Sequence, residues 1–175
     1  MSEPATDRIL AAASRYVARP YGHPASRVDT SCIDCSTLTA HVLDDVFGLS
    51  MAAWLDVVVA DAARPWSPIE RAFVDGWGEA APDGPVWSGW HLIQAWRDIP
   101  TSGHAMLGHL DADGVRLSVL EATSRGPRPG YGVRWRGVPM RAPLPLSLGD
   151  AVTTTALDLE ADYPGGVRWA RLVGV

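Results

Sequence analysis

An α+β fold is predicted by three features of the 175-residue chain. Apolar residues recur at helical spacing in its first part, and alternating apolar and polar residues fill its second half. The tetrapeptide Asp111-Ala112-Asp113-Gly114 joins two of those alternating runs and is a strong hairpin signal. Helices first and antiparallel strands afterwards predict N-terminal helices packed on an antiparallel sheet. The length suits one domain, residues 1–175, with a core of its own.

The first helix is expected to begin at a Thr6 or Asp7 cap and to bury Ile9, Leu10, Ala13, Tyr16 and Val17, with Pro20 ending it. A turn-rich loop, Arg19 to Pro24, leads to Ser31-Cys32-Ile33-Asp34-Cys35-Ser36-Thr37-Leu38. Leu38, Val42, Leu43, Val46 and Phe47 then follow one helix face, and Gly48 sits where that helix would stop. Asp34 is a good N-cap, because its carboxylate can accept from the free amides of the first turn. Cys35 therefore lands on the first turn, where outward-pointing amides and the positive end of the helix dipole favour a thiolate. The competing reading is a small apolar core residue, the fate of most free cysteines.

Residues 49–89 are an insert of less certain pattern, with helices possible over Met51 to Ala63 and Pro68 to Trp77. Trp54, Trp66, Trp77, Trp87 and Trp90 fall in this part of the chain; they can line a cleft or fill the core. Strands are expected at Trp90 to Trp96, His104 to Leu110, Val115 to Ala122 and Tyr131 to Val138. Ala151 to Leu157 and Val167 to Val173 complete a set of C-terminal strands within 139–175, separated by the turn Tyr163-Pro164-Gly165-Gly166.

Composition narrows the function classes. Hydrophobic residues make up 47% and charged residues 20%, so wholesale disorder is not expected. The net charge is -5, all fifteen basic residues are arginine, and no basic stripe interleaves with aromatics, which argues against nucleic acid. No run approaches a membrane span and no apolar segment follows the polar start, so a cytoplasmic protein without a Sec-type signal and without a membrane partner is expected. Cys32 and Cys35 alone cannot complete a zinc site, and no thioredoxin-type strand precedes them; neither metal nor cofactor is expected.

The chemistry-bearing residues converge on Cys35. If Leu110 faces Val115 across the hairpin, His104 faces Glu121 directly and the two share one sheet face. An imidazole at His104 can take the thiol proton, and the Glu121 carboxylate can hold the ring's tautomer. The plainer alternative is a cross-strand salt bridge. Gln94 has an amide able to donate to an oxyanion, whereas His23, His41, His91 and His109 are more ordinary polar residues. Arg125, Arg128, Arg134 and Arg136 form either a solvated face or a clamp for substrate carboxylates.

Pro20-Tyr21, Asp34-Cys35-Ser36, Gly103-His104-Ala105 and Leu120-Glu121-Ala122, in that order, resemble the successive motifs of the NlpC-type cysteine peptidases, papain-like cell-wall amidohydrolases. The resemblance spans roughly residues 6 to 138. It implies a nucleophile helix packed on an antiparallel sheet, with Cys35, His104 and Glu121 as catalytic residues. It also makes Tyr21 an oxyanion or positioning group; beside the resemblance, Ser36 and Gln94 are further candidates for that role, and Trp90, Trp96 and Arg125 are candidate substrate-binding residues. The sequence departs from the family at Thr37, where glycine is usual, and in the absence of a proline-glycine-aspartate segment before the histidine strand.

The implied activity is amide hydrolysis through a thioester, with a peptide or peptidoglycan fragment as substrate. Reaching a cell wall would then require release by a phage particle, an injection machine or another delivery partner. Two alternatives keep the same fold: an acyltransferase or amidase acting on a cytosolic amide, and a non-catalytic relative binding a peptide or protein through its tryptophan-rich cleft.

Overall fold

The computed structural model describes residues 3–17, 19–53, 79–81, 88–96, 103–122, 133–135, 138–139 and 154–172. Two helices open the chain, α1 (Glu3–Ser14) and α2 (Cys35–Phe47). Eight strands follow: β1 (Glu79–Ala81), β2 (Gly89–Trp96), β3 (Gly103–Leu110), β4 (Arg116–Ala122), β5 (Val133–Trp135), β6 (Val138–Pro139), β7 (Thr154–Thr155) and β8 (Gly166–Arg171). Among the described residues a further helix, α3 (Ala156–Asp162), lies between β7 and β8. The pairings between these strands are antiparallel, in the order β1-β8-β2-β3-β4-β5-β6 with β7 on β4. The α+β class is thus the observed one.

The ends of α2 follow from local chemistry. Asp34 caps its start by accepting from the Thr37 amide at 2.7 Å, and Gly48 ends it in the left-handed region at φ 67°, which glycine adopts without a Cβ penalty. Leu38, Val42, Leu43 and Val46 bury the apolar stripe against Ile9 and Ala13 of α1 and Trp90, Leu92, Leu107 and Leu120 of the sheet. Alternation sends Ile93, Met106, Leu117 and Trp169 to the other face, where Leu159 of α3 covers them. The sheet is therefore sandwiched, with helices α1 and α2 on one side and α3 on the other.

Several sequence expectations need correction. Helix α1 begins before Thr6, whose hydroxyl is not a cap but accepts from the Trp90 indole at 3.3 Å. Tyr16 and Val17 lie beyond its end, in a turn. Of the segment expected as a strand from Ala151 to Leu157, the described residues 154–157 hold the strand Thr154–Thr155 and then turn into α3 at Ala156. The Thr155 hydroxyl caps that helix by accepting from the Asp158 amide at 3.0 Å, and the run Ala-Leu-Asp-Leu-Glu-Ala is rich in helix formers. Within the expected strand Tyr131 to Val138, two short strands stand in place of one long one. The possible helix Pro68 to Trp77 lies outside the described residues, as does Met51 to Ala63 beyond its first turn at 51–53.

The hairpin register also differs. Leu110 pairs with Leu117, because Asp111 joins the ladder, its amide donating to the Arg116 carbonyl at 2.9 Å. The Asp113 carboxylate accepts from the Val115 amide at 2.9 Å, so the loop spans residues 112–115. The shift is two residues, an even number, so every side chain keeps its face.

Candidate functional site

Each candidate side chain is placed by a nearby backbone constraint. The Ile33 amide donates to the Pro20 carbonyl at 3.0 Å and the Gly22 amide to the Ile33 carbonyl at 2.9 Å, which pins the Pro20-Tyr21-Gly22 loop beside the start of α2. Tyr21 is thereby brought to Cys35, and its hydroxyl is hydrogen-bonded to the Cys35 side chain. Burial, then the charges of Cys35 and Asp34, raise the Tyr21 pKa well above that of a free phenol. The hydroxyl stays protonated and remains a donor.

His104 is held from several directions. Its Nε2 lies 2.6 Å from Oε2 of Glu121, and its ring is also hydrogen-bonded to the Cys35 side chain. With Nε2 occupied by Glu121, Nδ1 is the nitrogen left for the sulfur. Burial lowers the imidazole pKa, but the hydrogen bonds and charges of Cys35 and Glu121 outweigh it and raise the net value to about 10. The ring is therefore an imidazolium at neutral pH. The β3–β4 ladder ends at Leu107–Leu120; beyond it β3 continues on β2 and β4 on β5. Cys35, at the tip of α2, reaches His104 at this open end of the ladder, although alternation turns His104 away from the helix-covered face.

Beneath Cys35, the N-cap carboxylate is the most heavily bonded group described. Asp34 is 2% exposed and accepts from the Thr37 amide and hydroxyl (2.7 Å each), the Ser36 hydroxyl (2.9 Å), His23 Nδ1 (2.8 Å) and the Arg27 guanidinium. Burial raises its pKa, but the hydrogen bonds from His23 and Thr37 and the charge of Arg27 prevail and lower it to about 2. Sequence reading leaves out Arg27 and takes His23 for an ordinary polar residue. Nothing in their loop has periodicity, and only the fold shows that both converge on Asp34. Ser36, expected as an oxyanion or positioning group, directs its hydroxyl to this cap, so what it positions is the helix start.

The remaining candidates separate. Gln94 is 4% exposed, and its Oε1 has no partner among the described residues. Its Nε2 packs against Gly103, where any Cβ would collide with it, so the amide is buried at the β2–β3 strand end. Trp90 is 0% exposed, packed edge-on to His109 in the core, and offers no surface to a substrate. That corrects its expected binding role: its position next to α1 makes it core. Trp96 is half-buried, with its indole nitrogen also near Gly103. Arg125 lies outside the described residues. No cluster of three or more potential metal ligands occurs among the described residues.

The fold is α+β, and the site is a thiol, an imidazole and a carboxylate joined in series, with a phenol on the thiol. Comparison with protein-family models finds no match, and neither does comparison with curated proteins or with solved structures. Among the described residues, no helix is long and apolar enough to cross a membrane.

Proposed function

We propose that the protein is a papain-like thiol hydrolase that cleaves an amide through a thioester, with a peptidoglycan stem peptide as the favoured substrate class. The observation that carries this reading is His104 bonded at once to Cys35 and Glu121. Sulfur and imidazole share one proton, and the raised affinity of His104 keeps it on the ring. The Cys35 sulfur attacks the carbonyl carbon, and the negative charge moves to the carbonyl oxygen. The Cys35 amide, in the first turn where helical amides have no intrahelical acceptor, is available to bind that oxyanion. Collapse breaks the C–N bond as His104 gives its proton to the leaving amine. Water then attacks the thioester carbon as the now neutral imidazole takes its proton, the C–S bond breaks to return the Cys35 thiolate, and the carboxylic acid departs. Glu121 holds the ring in one tautomer and stabilises its charged form.

The order of the sequence motifs supports the peptidoglycan assignment, and the same chemistry with an amine in place of water would make a transferase. Incubating the protein with purified peptidoglycan and its stem peptides, and identifying products by mass, tests the reading. Cleavage should vanish in Cys35→Ser and in His104→Ala, because members of one catalytic unit are lost together. It should persist at a reduced rate in Glu121→Gln. Undiminished cleavage by Cys35→Ser would overturn the thiol mechanism; cleavage of none of these amides by the wild type would overturn the substrate class.

A further inference from the structure

The turn after α3 carries a side chain to the same imidazole. The Tyr163 ring lies parallel to His104, with an interplanar angle of 9° and centroids 6.3 Å apart, within the range of offset aromatic stacking. Tyr163 caps the C-terminus of α3, packs against the cluster that contains Trp169 and Met106, and is half-buried.

Its turn is fastened to the sheet rather than hanging from it. The Gly165 amide donates to the Trp96 carbonyl at 2.9 Å, and the Gly166 amide to the Tyr163 carbonyl at 2.9 Å. A Cβ at residue 165 would stand 2.7 Å from the Trp96 carbonyl oxygen, so only glycine allows this approach. Trp96 is the last residue of β2, and its Cα partner in β3 is Gly103, next to His104. The clamp thus fixes Tyr163 relative to the strand end that holds the histidine.

We propose that Tyr163 is a positioning residue for His104, its ring fixing the imidazole plane and keeping water from the His104–Glu121 hydrogen bond. This deepens the hydrolase reading and rests on it for the importance of His104. Four groups face the imidazole or its partners: Cys35 from α2, Tyr21 from the loop before it, Glu121 from β4 and Tyr163 from the α3–β8 turn. Cys35, Tyr21 and Glu121 interact through charge and hydrogen bonds, which water weakens by screening. The Tyr163 ring, parallel to the imidazole, covers it from that water. Exposing a perturbed group to solvent moves it toward its ordinary value, here downward.

Titration of the His104 ring by NMR, read on the protein without substrate, tests this. Tyr163→Phe keeps the ring and should leave the midpoint where it is. Tyr163→Leu should lower the midpoint by at least about one unit and, on any amide the wild type cleaves, reduce kcat with KM unchanged. An unmoved His104 midpoint in folded Tyr163→Leu, or an equal fall in Tyr163→Phe, would overturn the proposal. In the wild type, contacts between the Tyr163 and His104 ring protons should appear in NOE spectra, and their absence would overturn it however the variants fold. Because the titration needs no turnover, an inert Cys35 would refute the hydrolase reading while leaving this result intact.

Discussion

His104 and Glu121 join diagonally, with Nε2 and Oε2 2.6 Å apart, just past the last β3–β4 pair, Leu107–Leu120; continued by one step, that register would set Glu121 opposite Met106, two positions from His104. Residues two apart on a strand share a face, and diagonal neighbours remain within reach of long side chains. The bond therefore depends on a hairpin loop closed by Asp111 and Asp113, far along the strands from the histidine.

Stability should record the His104 pairing as a pH dependence. A group whose pKa rises on folding, here from 6.5 to about 10, stabilises the native state fully below the lower value, and this contribution is lost as pH climbs through the higher one. Urea denaturation at pH 6 and pH 10 should show the wild type losing more stability over that interval than His104→Ala. Equal losses would mean that the ring is not held as imidazolium in the folded state.

Asp34 predicts the opposite slope at acid pH. Its pKa falls from 3.8 to about 2, so its contribution is present above 3.8 and disappears as pH drops through about 2. At 1.36 kcal/mol per unit the shift amounts to roughly 2 kcal/mol. Asp34→Asn should be less stable than wild type at pH 6 by about that much, with the gap closing toward pH 2. Thermal melts of both proteins across this range would check it.

Tyr21→Phe removes one hydroxyl from the sulfur and keeps the ring. Folding should be nearly unaffected, whereas cleavage should slow by roughly ten- to a hundredfold if the phenol acts during catalysis, near or below the usual cost of one oxyanion donor. Alkylation of Cys35 by a small haloacetamide gives a second readout that needs no substrate. Wild-type rates in both assays would leave Tyr21 a packing residue.

Trp90→Ala separates core from cleft. The indole is fully buried and donates to Thr6, so the change should cost about 3–5 kcal/mol, as large aromatic truncations in cores do. Equilibrium unfolding measures this directly. A stable variant with weakened substrate affinity would instead restore Trp90 to the binding surface.

Much of the site was legible because local rules govern it. Helical spacing and the Asp34 cap placed Cys35, and the parity of strands placed His104 and Glu121 on one face even though the register count was off by two. What escaped were contacts between distant loops. Arg27 and His23 reach Asp34 from an irregular segment, and Tyr163 reaches His104 from a turn that lies fifty-nine positions later in the chain (163 minus 104). The segment around Thr154 reads as strand because three threonines, Thr153 to Thr155, precede α3, yet Thr155 is the cap that starts a helix. Trp90 was ambiguous because aromatic residues serve cores and clefts alike.

The position of β8 has a consequence for synthesis. Strand β1 pairs with β8, with Glu79 against Arg171, ninety-two positions apart (171 minus 79). A nascent chain grows at roughly 5–20 residues per second, so β1 waits several seconds or more on the ribosome before its partner exists. Tyr163 and the Gly165 clamp emerge in the same interval, after Cys35, His104 and Glu121 are already made. At that stage the chain holds Cys35, His104 and Glu121 without the Tyr163 ring that stacks on the imidazole, and β1 stays unpaired on this side until residues 166–171 are made.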